Sequence, residues 1–188
     1  MNLVDLVDNS LTDKNTTHSY LPIYEKLFSN KKYSAKNILE VGVAFGGGMK
    51  LWKDYFINAK IYGIDVCTKD QVIDEVKNSS RAQLHSETDA YNSDFFYNFS
   101  LLTKDSKFDI ILDDGSHVLE DMKKFIKLYT QLLKEDGILV IEDIQNIEWL
   151  DILKNETPDG LKPYIEMYDL RHIKGRYDDI IFVINLHR

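Results

Sequence analysis

Short apolar segments typical of strands alternate along this chain with segments whose apolar residues recur at helical spacing. The strand candidates are NILEV (37–41), KIYGIDV (60–66), RAQLHS (81–86), FDIIL (108–112) and ILVIE (138–142). Helical patterns lie between them, at 49–56, around 69–78 and at 93–103. Because strands joined through helices align in parallel, this alternation predicts a parallel sheet with helices on both faces.

The strongest helical pattern follows the fourth strand candidate. Its predicted apolar face consists of Val118, Met122, Phe125, Tyr129 and Leu132. We expect this helix to end at KEDG (134–137), because helices commonly end at a glycine. A shorter helix is expected over 146–154.

Both ends of the chain complete the predicted fold. The segments 164–170 and 179–186 flank a turn around Gly175, and so short a connection predicts an antiparallel pair. Residues 1–36 are expected to form a helical cover, with one helix over LPIYEKLF (21–28).

These segments together predict an α/β fold in one domain, 1–188, with a cofactor-binding core over 37–188. The expected sheet is doubly wound, mostly parallel and Rossmann-like, with about seven strands and a C-terminal antiparallel hairpin. Helices should cover both of its faces.

Composition narrows the class of protein. The net charge is −8, from 23 basic and 31 acidic residues, which disfavours nucleic acid and anionic membranes as partners. The acidic N-terminus predicts no signal peptide, and no apolar run is long enough to span a membrane. The single cysteine, Cys67, fits a reducing cytoplasm and is expected to be a small buried hydrophobe.

A glycine-rich loop, GVAFGGG (42–48), connects the first strand to the first helix of the core. Such a loop lets the backbone approach a ligand closely, and the helix that follows favours an anionic group. Gly42, Ala44 and Gly47 match a loose G-x-A-x-x-G dinucleotide pattern. The alternative is a tight turn at 46–48 beside solvated acids.

Three acidic residues refine the predicted ligand. Glu40 occupies a strand position where an apolar residue would serve the sheet better, and its carboxylate could bind an ammonium group. Asp65 ends the second strand, where an acid takes the ribose hydroxyls of an adenosine. Asp89, after the third strand, could receive the adenine amino group. A ligand with an amino acid at one end and adenosine at the other is S-adenosyl-L-methionine.

These motifs resemble the class I S-adenosylmethionine-dependent methyltransferases, whose E/D-x-G-x-x-x-G motif is similar to EVGVAFGG. A narrower resemblance is to the metal-dependent macrolide sugar O-methyltransferases of the mycinamicin and macrocin type. It rests on three segments: TDKNTTHSYLPIYEKLF (12–28), DDGSH (113–117) and VIED (140–143). That family tends to have Asp-Gln after the third strand, whereas Ala90 follows Asp89 here.

The resemblance implies a set of cofactor-binding residues. They are Glu40, Gly42, Val43, Ala44, Gly46, Asp65, Asp89 and Asp113, with His18 and Tyr20 from the N-terminal likeness. His18 and Tyr20, like Asp13 and Lys14, are expected to close over the amino-acid end of the cofactor. The alternative for this segment is a polar stretch before a helix.

Acidic residues also end the fourth and fifth strands, which should be neighbours. Their carboxylates would repel one another, and a hard divalent cation such as Mg²⁺ relieves that repulsion. The resemblance implies Asp114, Glu142 and Asp143 as the ligands of this cation. It implies no metal-binding role for Asp113.

His117 lies three residues beyond Asp114 and has the ordinary pKa of a general base, so both are expected to be catalytic. The expected reaction is in-line attack by a hydroxyl, activated by Mg²⁺, on the sulfonium methyl. The structural alternative is helix capping, with Ser116 as the N-cap of the long helix.

The expected acceptor is a small molecule, either a sugar or a nucleotide-linked sugar, in polysaccharide or natural-product biosynthesis, and the chain could form a homo-oligomer. Two other functions remain open: a metal-independent O- or N-methyltransferase that uses His117 alone, and a dinucleotide-dependent oxidoreductase.

Overall fold

A seven-stranded sheet forms the centre of the computed structural model, which describes residues 1–187. Its strands are β1 (Asn37–Val41), β2 (Lys60–Ile64), β3 (Ala82–His85), β4 (Phe108–Asp113), β5 (Leu133–Ile141), β6 (Ile165–Asp169) and β7 (Ile180–Asn185). The strand order is β3-β2-β1-β4-β5-β7-β6. The first five strands are parallel, whereas β7 is antiparallel to both β5 and β6. The predicted α/β sheet with its C-terminal antiparallel hairpin is therefore confirmed.

Eight α-helices surround the sheet within the described residues. They are α1 (Leu3–Leu6), α2 (Leu21–Phe28), α3 (Gly47–Tyr55), α4 (Asp74–Lys77), α5 (Ser93–Leu102), α6 (Leu119–Tyr129), α7 (Trp149–Glu156) and α8 (Arg171–Lys174). Four 3₁₀ segments, Ser29–Lys31, Lys69–Gln71, Thr130–Leu132 and Asp159–Tyr164, complete the described helical structure. Across residues 1–187, none of the helices has the length and apolar character needed to cross a bilayer.

Each face of the sheet packs against its own apolar cluster. One cluster includes Tyr24 of α2 and Trp52 of α3. The other includes Phe99 of α5 and Phe125 of α6. Alternate residues of a strand point to opposite faces, so Ile38 and Leu39 of β1 enter different clusters. Burial on both faces explains the continuous apolar runs Ile110–Leu112 of β4 and Ile138–Ile141 of β5.

The long helix begins later than its apolar pattern predicts. The N-cap of α6 is Val118, whose side chain is half exposed, so Val118 does not belong to the apolar face. Ser116 was expected at the N-cap and instead lies two residues earlier. Its Oγ accepts a hydrogen bond from the Val118 amide (3.3 Å) and donates one to Asp121 (2.9 Å).

The end of this helix was also predicted wrongly. Helix α6 ends at Tyr129, and KEDG (134–137) lies inside β5 rather than at a helix terminus. Leu133 pairs with Phe108 and Ile138 with Ile110, so the ladder is interrupted over 134–137. The pairing of Leu133 draws the chain into the sheet early and overrides the local helix-ending signal.

The register between β4 and β5 determines where the acidic motifs meet. Asp113 pairs with Ile141, and the Glu142 amide donates to the Asp113 carbonyl (2.9 Å). Asp114 and Glu142 therefore leave the same edge of the sheet side by side, which confirms that these strands are neighbours.

Candidate active site

A cavity of about 900 Å³ opens at the carboxyl ends of the parallel strands. It is bordered by the N-terminal segment, the glycine loop, the end of β2, the segment after β3 and the DDGSH turn. Eight predicted site residues line it: Glu40, Gly42, Val43, Ala44, Asp65, Asp89, Asp114 and His117. Asp143 also reaches the cavity, whereas Gly46, Asp113, His18, Tyr20 and Glu142 lie behind its wall.

The glycine loop packs directly against the DDGSH turn. Gly42 has a φ of +83°, and a Cβ on it would lie 1.9 Å from the carbonyl oxygen of Asp114. The lack of a side chain at Gly42 thus allows the glycine loop and the DDGSH turn to pack closely against each other. Gly46, with a φ of +90°, is the N-cap of α3, and its missing Cβ would face Val72 instead of the cavity.

Asp65 holds the glycine loop in place. One carboxylate oxygen accepts hydrogen bonds from the amides of Val43 (2.5 Å) and Ala44 (2.7 Å), and the other accepts from Cys67 (2.7 Å). Burial alone would raise the pKa of Asp65, but the amides of Cys67, Ala44 and Val43 outweigh it and hold that pKa below its usual value. The carboxylate that was predicted to bind ribose therefore also orders the loop.

Cys67 differs from the expected buried hydrophobe. It is partly exposed and lines the cavity. A hydrogen bond to Asp65 raises the pKa of its thiol. The turn after β2 carries Cys67 outward because its amide is held by the Asp65 carboxylate.

Glu40 lies at the floor of the cavity and is 1% exposed. Its Oε1 accepts a hydrogen bond from the Trp52 indole (2.9 Å), while Oε2 has no hydrogen-bond partner among residues 1–187. Burial raises its pKa to about 7, although Lys14 opposes this shift. A buried, unpartnered carboxylate oxygen is unfavourable unless a donor reaches it, so this position fits the ammonium group of S-adenosylmethionine.

Lys14 connects the N-terminal segment to the acidic cluster. Its ammonium lies 2.6 Å from Asp114 Oδ2 and 2.6 Å from Glu142 Oε2, and 4.0 Å from Glu40. Burial would lower the pKa of Lys14, but Asp114, Glu142 and Glu40 outweigh it, so that pKa is raised well above its usual value. The side chain is therefore a fixed positive charge.

The same cluster affects the pKa values of its acids in opposite directions. Burial would raise the pKa of Asp114, but Lys14 and His117 hold it below its usual value. Burial raises the pKa of Glu142, with Asp114 and Asp143 adding to the effect of burial. Two tyrosines stabilise the cluster from behind: Tyr24 donates to Glu142 and Tyr20 donates to Asp143.

His117 faces two of the carboxylates. Its Nε2 lies 3.2 Å from Asp114 and 3.5 Å from Asp143. Burial would lower its pKa, but the hydrogen bond to Asp114 and the charges of Asp143 and Asp114 raise it to about 9. His18 lies on the far side of Asp143, with its Nδ1 3.4 Å from that carboxylate.

The donor atoms of this cluster fit a divalent cation. One ligand atom from each of Asp114, His117 and Asp143 lies within 4.8 Å of the others. Carboxylate oxygens are the ligands that Mg²⁺ prefers. Glu142 is close by, but both of its oxygens are engaged, one by Tyr24 and the other by Lys14.

Asp113 organises the DDGSH turn. It accepts a hydrogen bond from Tyr91 (2.6 Å), whose hydroxyl also accepts one from the Ser116 amide (3.2 Å). Burial raises the pKa of Asp113 to about 7. A Cβ on Gly115 would lie 2.2 Å from the Tyr91 hydroxyl, so the turn and the tyrosine are closely packed. Nothing in the local sequence pattern around Tyr91 indicates this contact.

The segment after β3 also borders the cavity. Asp89 lines the cavity and accepts a hydrogen bond from the Tyr91 amide (2.8 Å). Ala90, where the resembling family tends to have glutamine, is buried, and its carbonyl accepts a hydrogen bond from Tyr129 (2.8 Å).

A family model described as a methyltransferase domain matches residues 39–144, which is more than half of the chain. The chain therefore belongs to this methyltransferase domain family, and S-adenosylmethionine is the cofactor that membership implies. The match includes Leu39–Val41 of β1, the glycine loop and both acidic motifs, and it ends at Ile144. It confirms the methyltransferase resemblance of the sequence motifs.

Two methyltransferases of known substrate are similar in sequence to this chain. A rhamnosyl tetracenomycin-C 2'-O-methyltransferase of Streptomyces olivaceus is 28% identical over 145 residues, covering 73% of this chain and 36% of the relative. Mycinamicin VI 2''-O-methyltransferase of Micromonospora griseorubida is 28% identical over 139 residues, covering 70% and 33%. The chain thus spans about a third of the length of these relatives.

A solved structure shares the fold. The MycE methyltransferase, in complex with Mg, SAH and mycinamycin VI, superposes with a TM-score of 0.75 and 22% identity. The match covers 98% of this chain and 53% of MycE. At this identity the similarity concerns the fold alone.

Proposed function

We propose that this chain transfers a methyl group from S-adenosylmethionine to a hydroxyl of a sugar or glycosylated small molecule, with Mg²⁺ bound at the acidic cluster. The observation that carries the proposal is that two unlike sites share one cavity. The unpartnered oxygen of Glu40 suits an ammonium group, and the neighbouring carboxylates of Asp114 and Asp143, with His117 beside them, suit a hard cation and a base. Methyl transfer to a hydroxyl activated by a metal ion uses both sites.

Glu40 and the glycine loop would bind the donor. The Glu40 carboxylate accepts the ammonium of the methionine part, at a buried position where the ion pair is little screened. The backbone of 42–44 forms the wall beside it, held by Asp65. This anchoring at one end would direct the sulfonium methyl towards the acidic cluster.

The acidic cluster would bind and activate the acceptor. Asp114 and Asp143, joined by Glu142, would hold Mg²⁺. When bound, the ion lowers the pKa of an acceptor hydroxyl and orients it. His117, beside Asp114, would take the hydroxyl proton at Nε2, and Asp114 and Asp143 would stabilise the imidazolium that forms.

The acceptor class is supported by the relatives, which are named as methyltransferases of a rhamnosyl group and of mycinamicin VI. Sugars with neighbouring hydroxyls suit a cation that offers two adjacent open positions. We therefore expect a vicinal diol to be preferred over a lone hydroxyl.

The test is transfer of labelled methyl from S-adenosylmethionine to methyl α-L-rhamnoside, with its 3-deoxy analogue, which keeps two hydroxyls but no vicinal pair, as the matched control. We expect transfer to the rhamnoside in the presence of Mg²⁺ and much less to the analogue. Equal transfer to both would contradict the diol preference. If S-adenosylmethionine does not raise the melting temperature even at saturation, the cofactor assignment is wrong.

One observation favours a metal-independent methyltransferase as the second candidate. Lys14 already offsets the charges of Asp114 and Glu142, so the cluster can fold without an ion. In that case His117 alone would activate the acceptor. Transfer that persists at full rate in excess chelator would select this candidate.

The affinity for S-adenosylmethionine should depend on pH through Glu40. Its pKa of about 7 means that the carboxyl takes up a proton as the pH falls, and binding of an ammonium group requires that proton to leave. We expect affinity to fall as the pH decreases from about 7.5 to 5.5, approaching tenfold per unit at the acidic end. Calorimetric titration across this range measures the effect.

Glu40→Gln separates this effect from other titrations. The variant should bind S-adenosylmethionine at least about 30-fold more weakly at pH 7.5 and lose most of the pH dependence. The exposed Glu135 provides the control, because Glu135→Gln removes an equal charge far from the cavity. An unchanged pH profile in Glu40→Gln would contradict the assignment.

A further inference from the structure

The ammonium of Lys14 occupies the space between two carboxylates proposed above as cation ligands. It contacts Asp114 Oδ2 and Glu142 Oε2 at the same distance, 2.6 Å. The side chain is only 1% exposed. Lys14 comes from the N-terminal segment, 100 and 128 residues away from these partners in sequence.

The hydrogen bonds of Glu142 limit where an ion can bind. Tyr24 donates to Oε1, so Oε2 is the oxygen left for an ion, and Oε2 is the atom that Lys14 contacts. Mg²⁺ binds oxygen at about 2.0–2.1 Å. An ion bound to both Asp114 Oδ2 and Glu142 Oε2 would therefore overlap the position that the Lys14 nitrogen fills.

We propose that Lys14 is an internal cation that occupies the divalent-ion position between Asp114 and Glu142 and is displaced when the ion binds. The inference rests on the proposed function, because it takes the acidic cluster as the metal site. It assigns Lys14 a positioning role: it keeps Asp114 and Glu142 together before the ion arrives.

The charges around Lys14 support this exchange. Without a cation, the neighbouring carboxylates of Asp114, Glu142 and Asp143 would repel one another in a buried site. Lys14 relieves that repulsion, and so does a divalent ion. While no donor is bound, a displaced Lys14 stays close to a third anion, because its nitrogen already lies 4.0 Å from Glu40 Oε1.

Mn²⁺ binding, measured as free Mn²⁺ by electron paramagnetic resonance, tests the proposal without any acceptor. Lys14→Met removes the charge and keeps most of the side-chain volume. If the ion no longer has to displace an ammonium, Mn²⁺ should bind at least about tenfold more tightly. The inference is overturned if the Mn²⁺ affinity of Lys14→Met is weaker than that of the wild-type protein or equal to it within about twofold. It is also overturned if neither protein binds detectable Mn²⁺.

Lys31→Met is the matched control for the loss of a buried positive charge. Lys31 is 2% exposed and pairs with Asp136, away from the cavity. Its removal should leave Mn²⁺ affinity unchanged. An equal gain in both variants would mean that net charge, rather than displacement, sets the affinity, and the inference would fail.

Glu142→Gln in the Lys14→Met background tests whether the vacated oxygen becomes a ligand. We expect Mn²⁺ affinity to fall at least about tenfold relative to Lys14→Met alone. An ion bound only by Asp114, His117 and Asp143 would be insensitive to this change, and that result would overturn the proposal.

A crystal structure of the wild-type protein with Mn²⁺ keeps the test independent of how the variants fold. The anomalous signal should lie between Asp114 and Glu142, with the Lys14 nitrogen displaced from both. Mn²⁺ present while Lys14 still contacts both carboxylates would refute displacement. These readouts are separate from methyl transfer, so a protein that exchanges Lys14 for Mn²⁺ but methylates no sugar would refute only the proposed function.

Discussion

Asp114→Asn is expected to reduce methyl transfer at least about 10³-fold, equivalent to about 4 kcal/mol of transition-state stabilisation. Asp114 has contacts that serve both parts of the proposed chemistry, since one oxygen faces His117 and the other faces the cation position. Its backbone packs against Gly42 and is unaffected by the change. S-adenosylmethionine should therefore still bind, and calorimetry should give a dissociation constant within about threefold of the wild-type value.

Removal of the metal should have the same effect as this substitution. Excess chelator is expected to stop transfer by the wild-type protein and to leave the residual rate of Asp114→Asn unchanged. The exposed Asp105 supplies the control, because Asp105→Asn should behave as wild type in both assays. Full activity in Asp114→Asn would refute the role of this carboxylate, and a chelator-sensitive variant would place the cation elsewhere.

His117→Gln is expected to lower kcat about 10²–10⁴-fold, the range of a positioned general base. The pKa of His117 is about 9 in the absence of an ion, because the hydrogen bond to Asp114 and the charges of Asp143 and Asp114 outweigh burial. A histidine with that pKa is protonated at neutral pH and cannot accept a proton. Positive charge bound at the same carboxylates lowers it, so the base function and the cation site depend on each other.

The measurement for His117 is a comparison of kcat with the affinity for S-adenosylmethionine. Glutamine retains a polar side chain but cannot act as a base, so kcat should fall while donor affinity stays constant. His172→Gln provides the control, since His172 is exposed on α8. Loss of donor affinity together with kcat would indicate that His117 shapes the cavity rather than moving a proton.

Local pattern predicted much of the fold. Helix α2 and strand β1 have the expected bounds, Leu21–Phe28 and Asn37–Val41. The bounds of both elements follow from the periodicity of their own apolar residues. Neighbouring elements bury these residues but do not change where the helix or the strand begins and ends. The glycine loop and the DDGSH turn were likewise predicted at the carboxyl ends of their strands, because in a parallel sheet those ends share one edge.

Predictions failed where a distant partner outweighed the local signal. KEDG has the composition of a helix end, but the pairing of Leu133 with Phe108 draws it into β5. The ribose-binding role of Asp65 stays a prediction, but the local pattern did not indicate that its carboxylate also holds the amides of Val43 and Ala44. Neither partner lies within the local window from which propensity is read.

The sequence by itself determined the class of this protein: an alternation of strands and helices, a glycine loop beside buried acids, and carboxylates at the ends of two neighbouring strands. Only the tertiary structure decided how those carboxylates are charged and held. Lys14 reaches Asp114 and Glu142 across 100 and 128 residues, and Tyr24 reaches Glu142 across 118. The physical reason is that periodicity depends on residues a few positions apart, whereas the charge balance of a buried site depends on whichever side chains the folded chain brings into contact.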